Sequence, residues 1–199
     1  MMTKHKPVGK RRTGSTGIRL GRFVNEANLI AAIRTVRTLS LAEKTARIDQ
    51  LSKSQPHLLA SVLVHAQWSA PMEYIEVLLQ ILLVTQQIFR KAGVEIDEIQ
   101  PEDQELHLSR LVEQINLGGE AGDQQEQAAQ KQINDHPEPI LFSFAMAELL
   151  QAGIGNVEDD AQKLILLAGL NLVTCFAHAA HAKKNQAGGL IVPFTLQGV

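Results

Sequence analysis

The sequence holds one cysteine, one tryptophan and one tyrosine among its 199 residues, and aromatic residues make up only 4% of it. The lone Cys175 closes no internal disulfide, so nothing in the chain requires an oxidising compartment, and zinc-finger spacing is excluded. A cytoplasmic location is the expectation. Scarce aromatics leave the core to Leu, Ile, Val and Ala. Trp68 and Tyr74 lie in the apolar middle of the chain, so no platform for stacking bases accompanies the basic residues. A secretory signal is also lacking. The first 22 residues are basic but no apolar run follows them, and Pro7, Gly9, Gly14, Gly17 and Gly21 break any amphipathic transit helix.

What is present is an ordinary globular composition, 45% apolar and 20% charged, long enough for one domain with a sizeable core. Disordered, collagen-like and disulfide-stapled classes are excluded. After a flexible basic arm (1–22), the chain reads as successive helices over 23–187, followed by an apolar extended tail (188–199). Phe23, Leu29, Ile30, Ile33 and Val36 suggest a first helix ending near Leu39. Ser40 and Glu43 form a capping box for the second, which runs to about Lys53. Ser54, Gln55 and Pro56 break it before Leu58 to Trp68, and Ser69-Ala70-Pro71 opens the next with proline in its first turn.

Tyr74 to Phe89 is mostly apolar, with Glu76, Gln80 and Gln87 on one narrow stripe, as in a central bundle helix. Gly93 closes it. Pro101-Glu102-Asp103 opens another helix, whose inner face is read as Leu106, Leu108, Leu111, Val112 and Ile115. Gly118-Gly119 ends that helix. Residues 118–138 form an acidic, Gln-rich stretch, either a loosely held helix or a mobile linker. Asp135-His136-Pro137-Glu138 resembles a cap before Ile140 to Leu150, and Asn156 to Asp159 caps a last helix from about Val157 to Lys184. The sum is an all-α, single helical bundle-like domain of about seven or eight helices.

Two stretches approach a membrane span in length. Tyr74 to Phe89 is short and carries Glu76, Gln80, Gln86 and Gln87. Leu164 to Ala182 has no permanently charged side chain and nears the roughly 20 residues a bilayer requires. It holds Asn171, Thr174, His178 and His181, which hydrocarbon penalises, so buried bundle helices are expected and a membrane span is not.

The net charge of −2 conceals a split. Residues 1–53 carry twelve Lys or Arg against three acids, and residues 54–199 carry seven against eighteen. Such asymmetry points to a polyanion partner, DNA or RNA, for the basic end. The candidate contacts are Lys4, Lys6, Lys10, Arg11, Arg12, Arg19 and Arg22 in the arm, extended by Arg34, Arg37, Lys44 and Arg47 on the first two helices. A flexible basic arm neutralises phosphates and releases counterions without reading sequence. The same charge equally suits an acidic protein surface, or serves solubility. A helix-turn-helix at Ala147 to Ile165 is rejected, since its second helix would begin with Glu158, Asp159 and Asp160 and meet phosphate with the wrong sign.

Catalytic motifs are absent, and no cofactor is expected. His178 and His181 are neighbours on the last helix and are candidates for a metal-dependent helical-bundle enzyme, with Glu148, His65 or His107 as further ligands. Histidines at the end of a buried helix also simply hydrogen-bond there, and no Glu-x-x-His pair of the di-iron type occurs. Cys175, among Leu172, Val173 and Phe176, reads as a buried inert thiol. His57 reads as a cap or surface residue and His65 as a packed neighbour of Trp68. Gly9-Lys10 and Gly14 to Gly17 miss both the spacing and the preceding strand of a phosphate loop. Leu190 to Leu196, behind a Gly-Gly hinge, either packs on its own bundle or serves self-association or a protein partner. The leading reading is a non-enzymatic helical accessory protein working through macromolecular contacts. A protein–protein adaptor is the alternative.

Overall fold

The structure is a computed structural model that describes residues 22–68, 70–117, 130–154 and 160–188. Its helices are α1 (Glu26–Arg37), α2 (Leu41–Ser54), α3 (Pro56–Gln67), α4 (Met72–Lys91) and α5 (Pro101–Leu117). They continue with α6 (residues 130–135), α7 (Pro139–Gln151) and α8 (Asp160–Gly188). Among the described residues there is no strand. The all-α, bundle-like class follows the patterning of the sequence. The arm up to residue 21, residues 118–129, the cap at 156–159 and the tail from residue 189 lie outside the described residues, as does Ser69.

Local chemistry sets most helix ends. At α2, the Glu43 amide donates to Ser40 Oγ at 3.3 Å while the Ser40 amide donates to Glu43 Oε2 at 2.8 Å, the expected reciprocal box. The α1 start uses the same device with a less familiar pair. Asn25 and Asn28 exchange amide-to-side-chain bonds, both at 2.9 Å. Pro56 occupies the first turn of α3. Pro71 stands one position earlier than expected, as the N-cap of α4 rather than inside its first turn.

The C-terminal ends of α4 and α7 share a cap. The Gly93 amide donates to Arg90 and the Val94 amide to Phe89; the Gly153 amide donates to Leu150 and the Ile154 amide to Leu149. Both glycines adopt positive φ, 69° and 79°, where a Cβ would be strained. The hydrophobic residue after each glycine then packs into the core.

Two helices are apolar nearly all round, α4 and α8, and both are long and apolar enough to cross a membrane by length and composition alone. More than half of each apolar window is buried inside the bundle. In α8 every residue from 171 to 177 is buried, because α3, α4, α5 and α7 all pack on it. Gly169 makes part of that possible, since a Cβ there would stand 2.9 Å from Leu149 Cδ1 and 3.3 Å from Leu78 Cδ2. Most of the described phenylalanines are in the core. Phe89, Phe142 and Phe176 are among the largest fully buried side chains, and Phe89 stacks on Phe176 at 6.1 Å.

Two sequence expectations about helix faces need correction. The polar stripe on α4 does not stay in water: Glu76 is exposed, but Gln87 is buried and accepts from Arg90 Nη2 at 2.8 Å. On α5, Leu106 is 47% exposed, while Gln104, His107 and Leu111 are buried. Leu111 is on the inner face as expected, with Leu108 and Val112 half-buried; the seam between α5 and α8 is partly polar, so a reading that follows leucines alone admits Leu106 and misses Gln104 and His107.

The connection from α4 to α5 is held by one side chain. Gln55, buried at the α2–α3 junction, donates through Nε2 to the carbonyls of Ile96 and Asp97 at 3.3 and 2.9 Å. Its Oε1 accepts from the Ile99 amide at 3.0 Å. Backbone groups of the connection that have no strand or helix partner, the buried Ile99 amide among them, are thereby satisfied.

Candidate functional site

The Phe23–Val24 segment leads into α1 and is fixed by a buried carboxylate from the other side of the sequence. Glu138, 0% exposed, accepts from the Phe23 amide at 2.8 Å and from the Val24 amide at 3.1 Å. His181 Nε2 lies 2.8 Å from its Oε1. Phe23 then packs edge-on against His181 and Phe89, with Lys184 Nζ 4.9 Å above its ring. Glu138 was expected to help cap α7. It is the N-cap residue by position, but its side chain makes no cap bond and serves this clamp instead. A carboxylate removed from water needs such charge-assisted partners, and three of them offset its desolvation.

The basic candidates on the described residues fall on α1, α2 and the segment before them. Arg22, Arg34 and Arg37 are exposed, whereas Lys44 and Arg47 are half-buried. Arg37 is engaged, through a 3.0 Å ion pair to Glu148, which also accepts from Gln80 at 3.2 Å. Lys91 of α4 reaches Thr35 Oγ1 on α1 at 3.3 Å and adds a positive charge that the linear sequence does not place there. Lys4, Lys6, Lys10, Arg11, Arg12 and Arg19 lie outside the described residues.

The two histidines singled out on α8 have separate surroundings. His181 is committed to Glu138, as above. His178 stacks on His107 of α5, with centroids 4.3 Å apart and rings 20° from parallel. Burial pushes the His178 pKa down to about 4, helped by the neighbouring His107, Arg110 and His181; burial followed by Arg110 lowers that of His107. Of the other ligands considered for a metal, only His107 comes against this pair directly. His65 packs edge-on against Trp68 at 5.4 Å, as the spacing suggested, and Glu148 is taken by Arg37 and Gln80. Among the described residues no three His, Cys, Asp or Glu side chains form a metal-binding group. Cys175 is buried, donates to Asn171 Oδ1 at 3.6 Å, and is pushed up by burial to a pKa of about 12, so it is no thiolate nucleophile. His57 sits 3.1 Å from Glu98, a surface pair rather than a cap.

Next to the histidine stack, α5, α6, α7 and α8 surround an open pocket of about 80 Å³. His107 and Arg110 of α5, Gln132 and Asp135 of α6, His136 and Thr174 line it. His136 is buried in the α6–α7 turn, where its Nδ1 accepts the Glu138 amide at 3.0 Å. That bond places the ring proton on Nε2. Burial holds the His136 pKa down at about 4, and the nearby His178, His181 and His107 push in the same direction. The sequence signal for this pocket is weak, since its lining residues are spread from 107 to 174 and no local spacing brings them together.

Fold and contacts together define an all-α bundle-like protein, with the Phe23–Val24 lead-in held to the core and a small open pocket among α5, α6, α7 and α8. Compared with protein-family models, curated proteins and solved structures, the chain matches none.

Proposed function

We propose that this is a non-enzymatic helical accessory protein of the cytoplasm that binds nucleic acid without sequence specificity through residues 1–53. The observation that carries the reading is the charge split, twelve basic residues against three acids in that region and seven against eighteen in the rest. Exposed Arg22 and Arg34, with Lys91 beside α1, supply a folded basic surface next to the arm. The clamp on Phe23 and Val24 roots the arm on the bundle, so phosphate contacts made by the arm are transmitted to a fixed body.

Fluorescence anisotropy with short single- and double-stranded DNA and RNA over a salt series tests this. The full chain is run beside a form lacking residues 1–21, which keeps the clamp. Affinity should fall with salt, and the slope of log K against log salt should flatten by about 0.9 for each duplex phosphate contact the truncation removes. No binding by the full chain at low salt would refute the reading. Salt-sensitive binding to an acidic protein but not to nucleic acid would replace it with the adaptor.

A further inference from the structure

We propose that the seam between α5 and α8 is a pH-sensitive latch, which acidification opens by releasing α5 while the rest of the bundle stays folded. Little apolar surface holds α5 to the core. Between residues 101 and 114 its one fully buried apolar side chain is Leu111, with Gln104 and His107 buried beside it. The shorter α7, by contrast, buries Leu141, Phe142, Phe144 and Leu149. The polar groups of α5 meet polar groups of α8. Asn171 Nδ2 donates to the Gln104 carbonyl at 3.0 Å, and the His107 ring stacks on that of His178 with centroids 4.3 Å apart. Apolar burial is the main adhesive between helices, so a seam this polar leans on those two contacts.

The stack suits neutral rings only. Two imidazolium ions at that separation repel, and their surroundings give little relief. Arg110 of α5 sets a positive charge near both rings, and His181 of α8 lies near His178. Asp103 of α5 acts on His107 in the opposite direction, but less strongly than Arg110. Asp135 of α6 shares the pocket wall with His107 and Arg110 and is exposed to water. His136, in the α6–α7 turn, is coupled to both rings and would add charge of the same sign. Glu138, at the start of α7, is committed to the Phe23 and Val24 amides and to His181. Among the described residues, α3 and α4 bring no charge that acts on either ring. Burial, the largest cause, holds the His178 pKa down at about 4 and also lowers that of His107, whereas a ring released to water protonates near 6.5. The released state therefore binds more protons below about pH 6.5, and falling pH favours release. The latch lies apart from the basic N-terminal region and does not rest on the nucleic-acid reading.

Hydrogen–deuterium exchange of the full chain tests the latch, read by mass spectrometry at a series of pH values from about 7 to 5 and corrected for the intrinsic rate at each. Peptides within residues 101–114 should lose protection ahead of peptides within 75–89 and 141–149. Release of His178 alone should raise the opening constant roughly twentyfold over that range, and release of His107 should multiply it further. His107→Phe and His178→Phe each keep a ring in the seam without a titrating group. Each should flatten the pH dependence of α5 exchange, and the double variant should remove most of it. Equal loss of protection in all three regions would mean that the bundle opens only as a whole, and would overturn the proposal. So would α5 exchange that does not change with pH after correction, or a pH dependence that survives the double variant. The wild-type comparison of the three regions decides the matter even where a variant fails to fold.

Discussion

Lowering the pH should destabilise this protein well above the range in which surface carboxylates titrate, and His136 should dominate the effect. In the unfolded chain its imidazole takes up a proton near its ordinary pKa of 6.5, whereas burial in the folded chain delays protonation until about pH 4. The unfolded state therefore binds more protons across that window. Stability is fully present above about pH 6.5 and is lost as pH falls through it, at about 1.4 kcal/mol per pH unit for one such group. Between about pH 7 and 5, His136 alone accounts for a loss of about 2 kcal/mol. His178 acts in the same direction, but it is more open to solvent and coupled to its neighbours, so its share is smaller. Urea unfolding at a series of pH values from about 7 to 5 measures the slope. His136→Asn keeps an acceptor for the Glu138 amide and removes the titration, so its mean slope over this range should be shallower by about 1 kcal/mol per unit. Wild-type stability that holds or rises between pH 6.5 and 5, or an unchanged slope in His136→Asn, would refute the reasoning.

Two substitutions test the packing. Glu138→Gln keeps one acceptor oxygen but turns an NH₂ group toward either the Phe23 or the Val24 amide, and should cost about 3 kcal/mol in denaturant unfolding; a loss below about 0.5 kcal/mol would mean the clamp is not formed in solution. Gly169→Ala places a Cβ 2.9 Å from Leu149 Cδ1 in the packed α7–α8 contact. It should lower stability by about 1 kcal/mol despite the higher helix propensity of alanine, and a rise in Tm would show that the leucines yield freely.

The class of fold was legible because helix ends and apolar runs are local signals. Ser40 and Glu43, Pro56, Gly93 and Gly153 act within a turn or two of themselves, and the near-complete apolarity of α4 and α8 shows that they are central whatever their partners are. The face of α5 was only partly legible: Leu111 is buried as read, but Leu106 is not. Gln104 and His107 are buried because Asn171, Thr174 and His178 meet them across the seam, a fact set by the partner helix rather than by α5. Glu138 shows the same limit from the other side. Its sequence context reads as a cap, and only the folded chain brings Phe23, Val24 and His181 to it. The pocket beside the histidine stack draws on α5, α6, the α6–α7 turn, α7 and α8, so its histidines could be noticed singly but not assembled. The stack of His107 on His178 was the one pairing among the suggested ligands that the fold realised.

The bond from Glu138 to Phe23 and Val24 joins residues 115 and 114 positions apart. Ordering a connection of that span costs about 4 kcal/mol of loop-closure entropy, which falls steeply once the intervening helices are already in place. Docking of α1 is therefore expected to come late in folding, after α4, α7 and α8 have formed the surface that receives it. Read in the unfolding direction, α1 and its lead-in are expected to open before the α4–α7–α8 core. Native-state hydrogen exchange should find the Phe23 and Val24 amides released well before those of residues 171–177. The Glu138 clamp is then a joint that holds the start of the described chain in the native state and can open while the α4–α7–α8 core stays closed.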